Sequence, residues 1–202
     1  VAMVDDEILA IEVPLTMRMR LRELSLGLFT TVRTGKFDDD GIEKISIDFE
    51  PGAKSSKLEE IKDILRDHEG EKFVIYTHSA KWARKAAIDL GKDWAAWTGA
   101  AGGDERRRIK DRFIRGDLRG FVATPETMGT GTDGLQAVCN NIIVASPSDK
   151  VIDNTQGISR IARQGQEKMV NVWDIIARGT WDAKVLRTGA RKVQTNSGAK
   201  GW

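Results

Sequence analysis

Two arginines near the carboxyl end of the chain have the residue type and spacing that suit phosphate chemistry. Arg160 and Arg163 stand three residues apart in the segment TQGISRIARQGQ, residues 155–166. A guanidinium group is planar and permanently charged, so it can donate paired hydrogen bonds to phosphate oxygens. Two such groups one helical turn apart could stabilise a phosphoryl group during its transfer. Surface arginines more often lie on a solvated helix face, and the spacing alone leaves both interpretations open.

A segment rich in glycine and threonine lies upstream of the arginines. The sequence TPETMGTGTDGLQ, residues 124–136, begins where the β-rich run GFVAT ends. Glycines allow the backbone to approach a phosphate or a nucleotide closely. No Gly-Lys-Ser/Thr follows, so the segment is not a Walker A phosphate loop. An ordinary flexible loop is the alternative interpretation.

Alternating apolar runs and helical patterns predict the elements that position these groups. The predicted strands cover residues 72–77, 94–99, 120–124, 140–146 and 169–175. The predicted helices between them cover residues 79–91, 103–117 and 148–164. This rhythm predicts an α/β fold in which helices cover both faces of a parallel sheet. In such sheets ligands gather at the carboxyl ends of the strands.

Residue patterns predict how the helices begin and which faces they expose. Asp104 is the expected N-cap of helix 103–117, and Ser56 with Glu59 forms a capping box for an amphipathic helix before residue 70. On helix 148–164 the side chains of Gln156, Arg160 and Arg163 share a face opposite the apolar one. That helix should end at Gly165.

The first 54 residues break this alternation. Residues 8–16 could form an edge strand, residues 17–35 read as a helix with one apolar face, and residues 37–56 look like a loop or a small hairpin. We therefore predict a lead-in segment and connector over residues 1–54, an α/β domain over 55–190 and a polar tail over 191–202.

Composition excludes several kinds of protein. The 202 residues carry a formal net charge of only +2, too little to indicate nucleic-acid binding without a local patch. The single cysteine, Cys139, cannot form an intrachain disulfide, and with two distant histidines it does not predict a metal site. No apolar run is long enough to cross a membrane, and we expect a cytoplasmic protein. Because the sequence begins with valine, we expect it to be a fragment.

Residues 55–176 resemble the second RecA-like lobe of superfamily-two helicases, and most of all the SWI/SNF-type DNA translocases. QGISRIARQGQ is similar to the family's motif six, whose arginines reach ATP bound on the other lobe. The resemblance implies that Arg163 is an arginine finger, that Arg160 is its partner, and that Gln156 contacts the nucleotide or the other lobe. It also implies a RecA-like fold.

Three further stretches resemble motifs of that family. GTGTDGLQ is similar to motif five, which implies nucleotide contacts for Gly131 and Asp133. FVIYTHSAKWA is similar to motif four, and WTGAAGGDERRRIKDRF to the stretch that faces the DNA track. The implied nucleic-acid contacts are Thr77, His78, Ser79, Thr98, Gly99 and Thr124.

The sequence departs from the family pattern in places. Ala162 stands where many SWI/SNF-type proteins have histidine, and Ser159 precedes the first arginine because the glycine has moved to position 157. Asp133 stands where the translocases often have asparagine. The long insertions of chromatin remodellers are missing, which favours a bacterial or phage protein.

The resemblance implies the C-terminal motor lobe of an ATP-dependent DNA helicase or translocase. Its partners would be DNA, duplex or single-stranded, and the N-terminal lobe that mainly holds ATP and Mg²⁺. Without Gly-x-x-x-x-Gly-Lys-Ser/Thr this chain alone should not hydrolyse ATP, and its two arginines should form an exposed, bare basic patch. A non-catalytic nucleic-acid-binding or docking lobe and an RNA helicase lobe are the alternatives.

Overall fold

The computed structural model describes residues 2–4, 7–9, 21–37, 39, 41, 43–128, 133–146 and 157–185. The strands among these residues are β1 (Ala2–Val4), β2 (Glu7–Leu9), β3 (Thr30–Phe37), β4 (Glu43–Asp48), β5 (Phe73–Tyr76), β6 (Trp94–Trp97), β7 (Gly120–Ala123), β8 (Asn141–Val144) and β9 (Asn171–Asp174). The longer helices are α1 (Ser56–Asp67), α2 (Ala80–Leu90) and α3 (Gly103–Arg115). Short 3-10 turns cover Pro125–Met128 and Leu135–Ala137.

A five-stranded parallel sheet forms the centre of the structure, in the order β6-β7-β5-β8-β9. The predicted parallel α/β architecture is therefore confirmed. The pairing is in register, so the last residues of all five strands lie in one row across the sheet: Trp97, Ala123, Tyr76, Val144 and Asp174. Every segment that leaves a strand consequently starts from the same edge.

Each face of the sheet is covered by its own apolar core. On one face, α1 and α2 contribute the buried Ile61 and Trp82. On the other, α3 contributes Phe113, and the segments that follow β7 and β8 contribute Leu135 and Ile161. Burial of each such side chain stabilises the fold by about 1.5–3 kcal/mol, which is what holds the connecting segments against the sheet.

Two helix starts differ from the sequence prediction. The N-cap of α1 is Ser55, not Ser56, and its hydroxyl accepts a hydrogen bond from the Leu58 amide at 3.2 Å. The N-cap of α3 is Gly102, which offers no side-chain bond. Asp104 instead lies in the first turn of α3, where its charge interacts favourably with the helix dipole.

The predicted helix over residues 17–35 is wrong beyond residue 24. Residues 21–24 are helical, and then the chain turns and enters β3, which pairs antiparallel with β4. Gly27 adopts φ +143°, and a methyl group on it would lie 2.7 Å from the Ser55 Cβ, so a continuous helix does not fit there. The strand agrees with the β-branched run that follows Phe29. Within residues 8–16, only the end of β2 is described, and it pairs antiparallel with β1.

A buried ion pair between Lys57 and Asp182 joins α1 to residues 181–185, and Asp182 also contacts Ser25. The Lys57 ammonium donates to the Asp182 carboxylate and, at 2.6 Å, to the Ala145 carbonyl oxygen. The Ser25 hydroxyl also donates to Asp182, at 3.1 Å. Burial lowers the pKa of Lys57, and the Asp182 charge opposes this shift. The pair therefore links α1 to the exit of β8 and to residues 181–185.

We expect Asp182→Asn to lower the free energy of unfolding by about 3 kcal/mol, because the variant leaves a buried ammonium without its counter-charge. Urea unfolding of the 202-residue chain measures this change. Glu59→Gln is the matched control, since it breaks the solvent-exposed ion pair of Glu59 with Lys62. Equal, small effects of the two substitutions would contradict the importance of the buried pair.

Candidate functional site

Three of the predicted nucleic-acid-binding threonines meet at the carboxyl edge of the sheet. Thr98, Thr124 and Thr77 directly follow paired residues at the ends of β6, β7 and β5. The Thr77 amide donates to the Ala123 carbonyl at 3.0 Å, and the Thr124 amide donates to the Trp97 carbonyl at 3.2 Å. Neighbouring strands are about 4.8 Å apart, so the three threonines form a continuous row.

The side chains of this row lie inside the protein and do not face solvent. Thr77, Thr98 and Thr124 are almost fully buried. The Thr77 hydroxyl accepts from the Ser79 amide at 3.3 Å, and the Ser79 hydroxyl in turn caps α2. Thr127, which the sequence prediction missed, donates its hydroxyl to the Thr124 carbonyl at 2.7 Å. The threonine side chains thus brace the edge, and their role as nucleic-acid contacts stays a prediction.

The backbone between β6 and α3 is a part of this edge that is open to solvent. Gly99 and Ala100 are exposed, and they lead into the exposed Gly102 and Gly103 at the start of α3. No side chain forms a cap hydrogen bond at this helix start, and Asp104 and Glu105 lie in its first turn, where their charges oppose an anion. The loop at Gly99, and not the helix start, is therefore the place where the backbone can approach a phosphate closely.

His78 lies at the same edge, between β5 and α2. Its Nδ1 atom forms a hydrogen bond of 2.5 Å with the Ser146 hydroxyl, which follows β8. Its Nε2 atom is buried and has no hydrogen-bond partner among the residues that the structure describes. Burial lowers the pKa of His78 well below the usual imidazole value, and the charges of Arg22 and Lys57 add to the shift. The ring is therefore neutral near pH 7, which removes an ionic contact with phosphate from its possible roles.

The arginine segment packs on the sheet through a glycine and a tyrosine. The Tyr76 hydroxyl donates to the Gly157 carbonyl at 2.9 Å, and a methyl group on Gly157 would lie only 3.3 Å from the tyrosine ring. The close packing against Tyr76 therefore explains why a glycine occupies position 157. Burial raises the pKa of Tyr76 and Cys139 adds to the shift, while the positive charge of Arg160 partly offsets it.

The predicted helix through Gln164 is wrong in the part that the structure describes. Only residues 157–159 are helical there, and turns follow. The Arg163 amide donates to the Ile161 carbonyl at 3.1 Å instead of to the carbonyl four residues back. Gly165 adopts φ +92°, within a turn and not at a helix end. Gln156 lies outside the described residues, as do residues 148–155, so the predicted common face of glutamine and arginines is not observed.

Arg163 is not bare, contrary to the sequence expectation. Its Nη1 atom donates to the Asp133 Oδ1 atom, and the two side chains form an ion pair at the surface. The side chain of Arg163 is 39% exposed and that of Asp133 is 80% exposed. The structure thus joins two predicted site residues from different motifs, while Gly131 lies outside the described residues.

Gln166 fastens the arginine turn to the segment that precedes β8. Its side-chain amide donates to the Cys139 carbonyl at 2.8 Å, and its backbone amide donates to the Arg163 carbonyl at 3.0 Å. Nearby, the Asn140 side chain donates to the Met169 carbonyl at 2.9 Å. Sequence reasoning used Gln166 only as a marker of its motif, because its bonding partners are distant in the chain.

The described part of the chain shows neither a metal-binding cluster nor a membrane-spanning helix. No group of three or more histidine, cysteine, aspartate and glutamate side chains in it is arranged to hold a metal ion. No helix among the described residues is both long enough and apolar enough to span a membrane.

Comparison with curated proteins finds similarity to eukaryotic helicase-type proteins. The chain is 30% identical over 103 residues to the Protein CHROMATIN REMODELING 20 of Arabidopsis thaliana, covering 50% of the chain and 7% of that protein. It is 24% identical over 167 residues to the uncharacterized ATP-dependent helicase C23E6.02 of Schizosaccharomyces pombe, covering 78% of the chain and 16% of that protein. The chain thus spans a small share of the curated relatives it matches. No model of a protein family matches it.

Solved structures of helicase domains resemble about two thirds of the chain. The C-terminal part of the Fun30 ATPase domain superposes with a TM-score of 0.62 at 21% identity, covering 70% of this chain and 48% of that one. The helicase domain of Pyrococcus furiosus Hef gives a TM-score of 0.53 at 25% identity, covering 68% of this chain and 29% of that one. The parallel sheet, its covering helices and these neighbours show that the chain has the α/β RecA-like fold of a helicase C-terminal lobe.

Proposed function

We propose that this chain is the C-terminal motor lobe of an ATP-dependent DNA helicase or translocase. The observation that carries the proposal is the placement of the Arg160–Arg163 turn. The turn is anchored to the sheet by Gly157 and to the neighbouring segment by Gln166, while the Arg163 side chain remains partly exposed. An arginine held on a rigid support at the surface suits contact with a phosphate on another lobe.

ATP would supply the phosphoryl group that is transferred to water, and this chain would supply the charge that stabilises the transfer. The guanidinium groups of Arg160 and Arg163 fit phosphate oxygens, because they donate in a planar fork and keep their charge. Ligands for Mg²⁺ would come from the N-terminal lobe. Turnover would then require closure of the two lobes, which couples ATP chemistry to movement.

DNA would run along the carboxyl edge of the sheet. The open loop at Gly99 and Ala100 offers backbone amides that suit phosphate oxygens, because Gly99 leaves room for a close approach. The buried threonines behind them would hold this backbone in place instead of contacting DNA through their hydroxyls. The names of the helicase relatives support a nucleic-acid substrate. The compact α/β part, without long insertions, supports a bacterial or phage motor that works in the cytoplasm.

A non-catalytic nucleic-acid-binding or docking lobe is the second candidate. The ion pair of Arg163 with Asp133 favours this second candidate, because an arginine whose charge is already balanced by a carboxylate gains less free energy from binding a phosphate. The pair is surface-exposed, however, and such pairs contribute at most about 1 kcal/mol. It engages one guanidinium nitrogen, so other N–H donors of Arg163 stay available to a phosphate. ATP turnover of the protein that combines this chain with its N-terminal lobe separates the two candidates.

We expect Arg163→Ala in that two-lobe protein to reduce DNA-stimulated ATP turnover by about 10³-fold, because the transition-state charge loses its stabilising group. Arg160→Ala should reduce turnover in the same direction. DNA affinity should change by less than about twofold, since neither side chain is assigned to DNA. Steady-state ATP hydrolysis and fluorescence anisotropy with labelled duplex DNA measure these two quantities.

Arg66→Ala is the matched control, because Arg66 is also an exposed arginine in a surface ion pair, on α1. Its turnover should equal that of the unmodified protein. Unchanged turnover in Arg163→Ala would refute the arginine-finger assignment, whereas stimulation by RNA and not by DNA would identify an RNA helicase.

We expect Gly99→Glu to weaken DNA binding by at least about tenfold, because a carboxylate at the carboxyl edge repels the phosphate backbone. A side chain fits there, since a Cβ on Gly99 would lie 3.8 Å from the Thr127 methyl group. Met169→Glu adds the same charge at the opposite edge, where Met169 is 84% exposed, and should leave affinity unchanged. Equal affinity of the two variants in anisotropy titrations would place the DNA elsewhere.

A further inference from the structure

We infer that Asp133 is a positioning residue for Arg163, and that it acts through the guanidinium group without touching the nucleotide. The inference rests on the proposed function, in which Arg163 reaches ATP on another lobe. It differs from the nucleotide contact that sequence resemblance implies for Asp133. The structure pairs the carboxylate with the arginine, across 30 residues of sequence.

Among the described residues, the pair leaves most of the guanidinium free. The contact joins one arginine nitrogen, Nη1, to one carboxylate oxygen, Oδ1. A guanidinium has five N–H donors, so a single contact of this kind leaves a fork available for phosphate oxygens. The carboxylate therefore orients the group without occupying its phosphate-binding side.

The backbone on the Asp133 side is well anchored. Gly134 follows it with φ +96°, and its amide donates to the Gln136 side chain at 3.1 Å. The 3-10 turn that begins at Leu135 is held by the complete burial of that leucine in the core beneath. Asp133 therefore lies two residues before Leu135, whose burial packs this segment against the sheet.

The backbone on the Arg163 side is anchored as well. Ile161 is fully buried, and Gln166 ties the turn to Cys139 on the segment that carries Asp133. The two segments are also close together at Gly165, because a Cβ atom built on this glycine would lie 3.8 Å from the side-chain amide nitrogen of Gln136. What remains variable is the long Arg163 side chain, whose rotamers cost entropy to restrict. The ion pair with Asp133 favours one of those rotamers before the two lobes close.

This role predicts a particular kinetic signature. In the two-lobe protein, Asp133→Asn should lower kcat for ATP about threefold to fivefold, the range expected when a surface ion pair is lost. The KM for ATP should stay unchanged, because the carboxylate makes no contact with the bound nucleotide. Asp133→Glu should recover most of the loss, since it restores the charge.

Two further measurements separate positioning from a structural role. The Asp133→Asn substitution should have no additional effect on kcat in an Arg163→Ala background, because both changes act on one interaction. The difference in kcat between the unmodified protein and Asp133→Asn, measured at saturating DNA, should shrink as salt rises from about 0.05 M to about 0.5 M, since exposed pairs are screened. Thermal melting should show equal folding of all variants, given the exposure of Asp133.

Asp117→Asn is the matched control, because Asp117 forms a similarly exposed pair with Arg115 and should leave kcat unchanged. A normal or raised kcat in Asp133→Asn, while Arg163→Ala is inactive, overturns the positioning role alone. A raised KM in Asp133→Asn also overturns it and indicates direct nucleotide contact. Full activity of Arg163→Ala overturns the arginine-finger role on which the inference rests, and a lack of ATP turnover in the unmodified two-lobe protein overturns the proposed function, so the failures are distinguishable.

Discussion

The in-register pairing of five parallel strands is the constraint on which the rest of this structure depends. Because Trp97, Ala123, Tyr76, Val144 and Asp174 end in one row, every segment with functional residues leaves the sheet from the same edge. Parallel strands require crossovers, and those crossovers cover the faces of the sheet. A site assembled from several distant motifs follows directly from this geometry.

The second determinant is how the crossovers on one face are fastened to each other. The segments before β8 and before β9 lie side by side, each held down by a buried aliphatic residue, Leu135 or Ile161. Gln166 and the Arg163–Asp133 pair then join them at their polar surfaces. The apolar contacts fix the backbones, and the polar contacts set the side chains that face solvent.

Burial separates the supporting residues of the site from those that are free to bind. Thr77, Thr98 and Thr124 lie in the predicted place, yet their hydroxyl groups are covered. Among the described residues, backbone groups around Gly99 and part of the Arg163 side chain are exposed. The stretches that resemble family motifs therefore include both buried and exposed positions, and the motif alone does not distinguish them.

Periodicity and residue type alone indicated the parallel α/β fold and the five strands of its central sheet, because strands buried on both faces are short apolar runs. Only the tertiary structure decided where the helices begin, that residues 160–165 form turns and not a helix, and that Arg163 pairs with Asp133. These outcomes depend on contacts between residues far apart in sequence. Gly157 fits against Tyr76, and Gln166 bonds to Cys139, so local propensity for a helix yields to packing on the sheet.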